Sequence, residues 1–281
     1  MDEKCGRERL GVTEEVILSG KRTAFGQHFG EGYHATDEAI CKKTKNLSGK
    51  KTKYLLEINM YYVFFCLEIL GIVAFSISGA LVAIKSKFDI FGVLVVGAIT
   101  AVGGGITRDI IVGHNPPAIF NNVYLIGISA LSSLLTFILA FVKRSKFSLI
   151  KGKIEIINNY FDAIGLAVFT IMGVESTFGY GYTDHAFLSI AMGVLTGVGG
   201  GLMRDIFTGS APYIFTKHVY AISAILGATA FYYLRVLFAE IPVLATIVGV
   251  LLIFVLRLLA TKFHWKLPKA HIEDDLPNHN N

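Results

Sequence analysis

Long apolar segments alternate with short polar ones along the chain after residue 59. Seven of them are apolar on nearly every face and long enough to cross the hydrocarbon core of a bilayer, which takes about 20 helical residues. They are Tyr61–Ile84, Ile90–Val112, Val123–Val142, Phe161–Phe178, Phe187–Thr208, Val219–Phe238 and Pro242–Ala260. The pattern predicts an all-α membrane protein with seven transmembrane helices.

Composition supports this class and weighs against enzymes and nucleic-acid binders. Hydrophobic residues make up 53% of the 281 positions and charged residues only 17%, so the net charge of +5 informs topology rather than nucleic-acid binding. No P-loop, HExxH or GxSxG motif occurs, and Cys5, Cys41 and Cys66 have no metal or disulfide spacing. We expect no enzyme, no cofactor and no metal site.

Lysine and arginine positions predict the orientation of the chain in the cell membrane. The loops Gly113–Asn122 and Gly179–His185 carry neither residue, whereas residues 143–160, predicted as a basic cytoplasmic loop, and the polar C-terminal tail 263–281 are rich in lysine. The positive-inside rule therefore predicts a cytoplasmic C-terminus. Seven spans then place residues 1–59 outside, although that polar tail is also rich in lysine.

Residues 1–59 are predicted to be a disordered tail or a mis-assigned start, with Met60 as the true first residue. Within the tail, LSGKRT at Leu18–Thr23 recurs as LSGKKT at Leu47–Thr52. Codons for both can match the repeated core of a tandem glycine-sensing riboswitch, which would make the tail a translated RNA leader. The alternative is a short chance repeat in a disordered segment.

An internal duplication organises the remainder of the chain. Glu68–Ala80 parallels Asp162–Val174, and Gly97–Pro117 parallels Gly193–Tyr213. Residues 60–142 and 161–238 are therefore predicted as two three-helix repeats, and residues 239–262 as a seventh helix for packing or assembly. Because three spans is an odd number, the second repeat must be inverted relative to the first, a common plan in transporters.

The motif GGGxxRD is the candidate functional feature, at Gly103–Asp109 and again at Gly199–Asp205. Three glycines weaken a helix, and a break would free backbone groups to bind a cation or a carboxylate. The predicted transport pathway comprises Gly103, Gly104, Gly105, Arg108, Asp109, Gly199, Gly200, Gly201, Arg204 and Asp205. The alternative is that the glycines serve close helix packing.

Each charged or aromatic residue near this motif has a functional and a structural interpretation. The arginines and aspartates could line the pathway, cap broken helices, or pair across the two-fold axis as Arg108 with Asp205 and Arg204 with Asp109. Glu68 and Asp162 could attract cations or gate, or could be interfacial carboxylates in contact with water. Tyr124 and Tyr220 are expected to anchor the helices at the membrane interface.

At the two GGGxxRD segments the chain resembles the bacterial glycine-transporter-domain proteins, which are related to the trimeric intracellular cation (TRIC) channels. The resemblance covers about Tyr61 to Ala260. It implies seven spans, inverted three-helix repeats, kinks at the two glycine runs, and a homotrimer with one pathway per subunit. Animal members carry a lysine in the glycine motif of the second span, where this chain has Val102.

Three functions follow as hypotheses. The first is transport of glycine or another small neutral amino acid, which the possible glycine-sensing leader favours over the second. The second is a homotrimeric potassium channel of the TRIC type, and the third is a membrane scaffold that transports nothing. The expected partners are the solute or ion, the lipid bilayer and two further copies of the chain, and no nucleic acid.

Overall fold

The computed structural model describes residue 60 and residues 62–142, 151–216, 219–238, 241–263 and 265. For residues 151–153 and 216 it describes the backbone alone. The predictions made for residues 1–59 and for most of the C-terminal tail lie outside these residues. Everything below refers to the unit that begins at Met60.

Seven long helices account for most of the described residues. They are α1 (Tyr62–Lys85), α2 (Ile90–Val112), α3 (Val123–Val142), α4 (Lys151–Gly179), α5 (Ala186–Phe207), α6 (Tyr220–Leu237) and α7 (Pro242–Lys262). Short helical segments, Ala118–Phe120 and Tyr213–Thr216, follow α2 and α5. Each long helix contains a stretch apolar and long enough to cross a membrane. The chain is a multi-pass membrane protein, as the hydrophobic pattern predicts.

The fourth span differs most from its predicted bounds. Helix α4 begins at Lys151 rather than Phe161, so the second part of the predicted basic loop is helical. Ile154, Asn158 and Asn159 in this first part are buried. Two adjacent asparagines and nearby lysines are typical of a loop. Here Asn158 bonds to Ser78 and Tyr213, and Asn159 bonds to Thr261 and Arg257. Because these side chains have partners inside the protein, the helix can extend through them.

The two repeats run in opposite directions. Helix α1 ends where α4 begins, because Lys85 and Glu155 line the same cavity; we call this end the Lys85 face. Helices α2 and α4 end together at the opposite end, the His114 face, where the His114 and Tyr180 rings stack with centroids 5.0 Å apart. The first helices of the two repeats are therefore antiparallel, which confirms the predicted inverted repeats.

Equivalent residues of the two repeats pack reciprocally where α1 meets α4. The Phe75 and Phe169 rings lie 5.3 Å apart. A side chain at Gly165 would overlap the Phe75 ring, and one at Gly71 would lie 3.0 Å from the Phe169 ring. Each phenylalanine thus occupies the space that the missing side chain of the other helix leaves, which brings the two helices together about the pseudo-two-fold axis.

Helix α7 lies outside the duplication and packs on α4 and α6. Its buried positions form a stripe at helical spacing, as expected for one face against the bundle. They are Pro242, Ala245, Thr246, Gly249, Ile253, Arg257 and Ala260. An arginine in this stripe places a charge at the contact of α7 with the second repeat.

Candidate functional site

Both glycine runs lie inside uninterrupted helices. Helix α2 continues through Gly103–Gly105, and α5 continues through Gly199–Gly201. The predicted helix break is therefore wrong. The physical reason is that the backbone hydrogen bonds persist in both runs, and the missing side chains serve a close contact between the two helices instead.

The contact is the crossing of α2 and α5. A Cβ atom on Gly104 would overlap the carbonyl oxygen of Thr196, and one on Gly200 would overlap that of Thr100. The contacts are reciprocal because Thr100 and Thr196 are equivalent positions of the repeats. Small residues in membrane helices allow backbones to approach in this way. The packing alternative considered for the glycines is the one that the geometry supports.

The remaining glycines of the motif differ in their surroundings. Gly103 faces the Met203 side chain, Gly199 approaches the backbone of Gly104, and a Cβ atom on Gly201 would lie 2.8 Å from the Tyr220 hydroxyl. Gly105 has open space, since the nearest atom to an added Cβ is Nη2 of Arg108, at 4.0 Å. Only part of the motif is therefore required for the crossing.

Each motif arginine pairs with the aspartate that follows it. Nε of Arg108 donates to Asp109 over 2.8 Å, and Nε of Arg204 donates to Asp205 over the same distance. The alternative in which they pair across the axis, Arg108 with Asp205 and Arg204 with Asp109, is wrong. The inverted repeats place the two motifs on opposite sides of the crossing, so each arginine meets its own neighbour.

The two aspartates also hold the segments that follow their helices. Oδ2 of Asp109 accepts from the backbone N–H of Ala118 over 2.9 Å, and Oδ2 of Asp205 accepts from that of Tyr213 over 2.8 Å. Gly113 ends α2 in the left-handed region at φ 82°, which a residue without Cβ adopts easily. The Arg-Asp pairs thus fix the chain reversals after α2 and α5.

In the second repeat this pair extends into a buried network. The Arg204 side chain is fully buried, and its Nη1 donates to Oδ1 of Asp162 over 2.7 Å and to the Ser78 hydroxyl over 2.5 Å. Ser78 donates to Oδ1 of Asn158 over 2.8 Å. The interpretation of Asp162 as an interfacial carboxylate is wrong, because the protein supplies a guanidinium partner that offsets its burial.

Tyr220 and Arg257 complete the network. Tyr220 is buried, its hydroxyl donates to Oδ1 of Asp162 over 3.5 Å, and the Arg257 guanidinium lies 4.7 Å from its ring centroid. Nη2 of Arg257 lies 3.9 Å from Oδ2 of Asp162 and donates to Asn159 over 2.9 Å. The prediction of Tyr220 as an interfacial anchor is wrong, whereas its counterpart Tyr124 is half exposed.

The equivalent site of the first repeat is more open. Glu68, Arg108 and Asp109 line a cavity of about 60 Å³ toward the His114 face, enough for a few water molecules. The Arg108 side chain is 11% exposed. The Tyr180 hydroxyl donates to Asp109 over 3.3 Å. Partial burial and the nearby Asp109 carboxylate raise the pKa of Tyr180, so this phenol remains a neutral donor.

A larger cavity of about 280 Å³ opens on the other side of the crossing, toward the Lys85 face. Asp205 reaches it from α5, and the other polar residues come from α1, α4 and the segment after α5. They are Lys85, Ser86, Glu155, Asn158, Ser210 and Tyr213. Among the residues that the structure describes, no cluster of three or more His, Cys, Asp or Glu side chains could hold a metal ion.

Comparison with known proteins places the chain in a family. The model described as "Glycine transporter" matches residues 65–141 and 159–236, which are the two repeats. The chain belongs to the glycine transporter family. UPF0126 inner membrane protein YadS of Escherichia coli K12 is 35% identical, covering 74% of this chain and 97% of YadS. Membrane protein YvgT of Bacillus subtilis is 34% identical with the same two coverages.

Solved structures similar to this family member are TRIC channels. The TRIC orthologue from Rhodobacter sphaeroides has a TM-score of 0.64 and 30% identity, with 72% of this chain and 99% of the orthologue covered. A prokaryotic TRIC channel in 0.5 M KCl has a TM-score of 0.65 and 31% identity, with 74% of this chain and 100% of that channel covered. The predicted family resemblance is confirmed, and both family and fold are of the channel or transporter kind.

Proposed function

We propose that this protein conducts monovalent cations, potassium in particular, by a route between its two repeats. The observation that carries the proposal is the pair of polar cavities on opposite sides of the α2–α5 crossing. Carboxylates line both of them: Glu68 and Asp109 toward the His114 face, Glu155 and Asp205 toward the Lys85 face. Asp109 and Asp205 are buried, and buried carboxylates in membrane proteins are costly and commonly mark ion routes.

The relatives of known structure support a cation over a neutral solute. Three solved proteins described as TRIC channels share 30–34% of their sequence with this chain, and the alignment covers 98–100% of their lengths. Glycine transport, the first of the hypotheses from the sequence, becomes the second candidate.

Arg204 closes the proposed route in the described state. It is fully buried beside the crossing, and its guanidinium is held by Asp162, Asp205 and Ser78. A potassium ion passing this point would replace the guanidinium at a carboxylate, because both are monovalent cations. Conduction therefore requires Arg204 to leave Asp162, and the described arrangement is a non-conducting one.

Glycine remains a candidate because the family model that matches both repeats is described as a glycine transporter. The chemistry at the crossing suits a zwitterion, since a guanidinium can bind a carboxylate and an aspartate can bind an ammonium group. The cavity of about 280 Å³ at the Lys85 face could hold so small a solute. This candidate needs saturable binding rather than a continuous aqueous route.

Reconstitution of the full chain in proteoliposomes separates these functions. Potassium flux and single-channel currents are recorded beside radiolabelled glycine uptake, with and without a potassium diffusion potential. We expect cation-selective currents and no saturable glycine uptake. Saturable uptake that unlabelled glycine competes for, without currents, would favour the carrier, and the absence of both fluxes from assembled protein would favour the scaffold.

Assembly as a homotrimer and a cytoplasmic C-terminus belong to the same proposal. The trimer is supported by similarity to channels described as trimeric and by exposed apolar side chains on α3, where lipid or another copy could lie. These side chains are Leu131, Leu135, Ile138 and Leu139. Light scattering in detergent tests the trimer, and impermeant thiol labelling of a C-terminal cysteine in intact cells tests the orientation.

A further inference from the structure

Two equivalent sites flank the α2–α5 crossing, and their charges do not match. In the first repeat the described site holds one guanidinium, Arg108, and two carboxylates, Glu68 and Asp109. The second repeat also has one guanidinium and two carboxylates: Arg204, Asp162 and Asp205. The difference is Arg257, which comes from α7 and has no counterpart in the duplication.

Arg257 is placed to act on Asp162 rather than merely to fill space. Its side chain is 2% exposed, its guanidinium stacks on Tyr220, and its Nη2 lies 3.9 Å from Oδ2 of Asp162. Asn159 accepts from Nη2 over 2.9 Å, which fixes the position of the charge. Because an ion loses its hydration when it is buried, a second cation at this distance offsets much of the cost of burying the carboxylate.

Unsatisfied polar atoms cluster at the same place. Among the described residues, Nη2 of Arg204, Oδ2 of Asp162 and Nε of Arg257 are buried and have no hydrogen-bond partner. Arg204 binds the other oxygen of this carboxylate, so Oδ2 of Asp162 faces the charge of Arg257 without a hydrogen bond. Such a carboxylate oxygen can accept a different cation once the arginine is absent.

We propose that Arg257 is a positioning residue: its positive charge offsets the negative charge of Asp162. A potassium ion is thereby excluded from the second-repeat site. With Arg257 present, two guanidiniums balance two carboxylates there. Without it, the site has the same excess of carboxylate as the first-repeat site beside Glu68. Helix α7 thus makes the two ends of the route unequal. This proposal rests on the proposed cation conduction.

The test compares Arg257→Gln with Arg257→Lys, and its first readout needs no ion flux. The melting temperature of the purified full chain is measured in potassium chloride and in N-methylglucamine chloride at equal ionic strength. A ligand that binds the folded state raises this temperature. We expect potassium to raise it by about 2–4 °C in Arg257→Gln, and by less in wild type and Arg257→Lys.

Arg235→Gln is the matched control, because Arg235 is a partly buried arginine that pairs with Glu175, about 20 Å along α4 from Asp162. We expect the potassium response of this variant to equal that of wild type. Equal potassium responses in wild type, Arg257→Gln and Arg257→Lys would overturn the proposal. Potassium stabilisation confined to Arg257→Gln would support it even if no variant conducts, so failure of the conduction proposal is recognised separately.

A double variant covers the case in which Arg257→Gln alone does not fold. Breaking a buried ion pair costs more than replacing both members. Arg257→Gln with Asp162→Asn should therefore be recovered as folded protein in higher yield than Arg257→Gln, and without a potassium response. If the double variant is no better than the single one, Arg257 acts through packing and the proposal fails.

Discussion

Arg204 and Arg108 occupy equivalent positions in the two repeats, but their surroundings have diverged. Arg204 is fully buried among Asp162, Asp205, Ser78 and Tyr213, whose ring centroid lies 4.9 Å from the guanidinium carbon. Arg108 pairs with Asp109 at the rim of a small cavity. The duplication preserved the helix crossing and the Arg-Asp pair, while the partners around each pair changed.

The two Arg-Asp pairs share a structural role, whereas the carboxylates beside them differ in their surroundings. Asp109 and Asp205 hold the chain reversals in both repeats, so this role is structural and symmetric. The carboxylate on the first helix of each repeat is where the halves diverge: Asp162 is locked by arginine, and Glu68 faces a cavity. In the proposed route, Arg204 therefore blocks the carboxylate of the second repeat, whereas the carboxylate of the first repeat borders a cavity.

The largest expected effect concerns the crossing that both halves share. Gly104→Ala and Gly200→Ala each force a Cβ atom into a backbone carbonyl of the other helix. Because backbone atoms cannot move aside cheaply, we expect a loss of about 3 kcal/mol or more and little folded protein. Gly105→Ala is the matched control, since its Cβ would have open space. Yield and size-exclusion profiles in detergent measure both.

Equal folding of Gly104→Ala and Gly105→Ala would contradict the close crossing. The same overlap limits what a transport assay of the double variant Gly104→Leu with Gly200→Leu can show. Both changes would overlap backbone atoms, so lost transport in that variant would report failed packing as readily as a lost pathway.

Removal of each arginine is expected to have unequal consequences. Arg204→Gln leaves Asp162 and Asp205 without their buried cation, which costs about 3–5 kcal/mol. Arg108→Gln should be milder, because its site borders a cavity and the remaining carboxylates can be hydrated. Thermal unfolding in detergent measures the difference. Equal destabilisation would show that the two sites are electrostatically alike.

Neutralising Glu68 on α1 should lower conductance, whereas neutralising Asp162 on α4 should lower stability. Glu68→Gln removes a charge beside the cavity at the His114 face, so we expect lower potassium conductance and near-normal folding. The loss should shrink as ionic strength rises, because salt screens accessible charges. Asp162→Asn should mainly lower the melting temperature. A Glu68→Gln variant with wild-type currents at low salt would contradict a role for this carboxylate.

The smallest effect is expected at Tyr180, whose hydroxyl contacts Asp109 in the first-repeat site. Tyr180→Phe removes one hydrogen bond of 3.3 Å to Asp109, worth about 1 kcal/mol or less. The pKa of Tyr180 is raised by burial and by Asp109, so its folded form stays protonated above the ordinary pKa of a tyrosine. The stability difference between wild type and variant should therefore be constant from pH 6 to 9. A difference that changes in this range would contradict the assignment.

Helix count, repeat symmetry and family could be predicted from the sequence because each leaves a one-dimensional pattern. Apolar runs report the spans, and the recurrence of GGGxxRD reports the duplication. The use of the glycines could not be read in this way, because a triple glycine is compatible with a broken helix and with a crossing. The uninterrupted helices and the carbonyl groups of Thr196 and Thr100, opposite Gly104 and Gly200, distinguish the two.

The buried network was harder to foresee, and for different reasons at different residues. Arg257 had a readable signal, since an arginine inside an apolar span rarely lacks a function or a partner. Ser78 and Asn158 had none: a serine in a helix and an asparagine next to lysines are common in sequence. Their role depends on α1, α4 and α5 meeting at Arg204, which is a property of the tertiary structure.

Potassium and glycine fluxes through the full chain in proteoliposomes test the proposed function most directly. Both are measured on the same vesicles, with Glu68→Gln as the variant that changes the accessible end of the route. We expect cation-selective potassium currents that decrease in Glu68→Gln at low salt, and no saturable glycine uptake. Saturable glycine uptake without potassium currents, unchanged by Glu68→Gln, would contradict it.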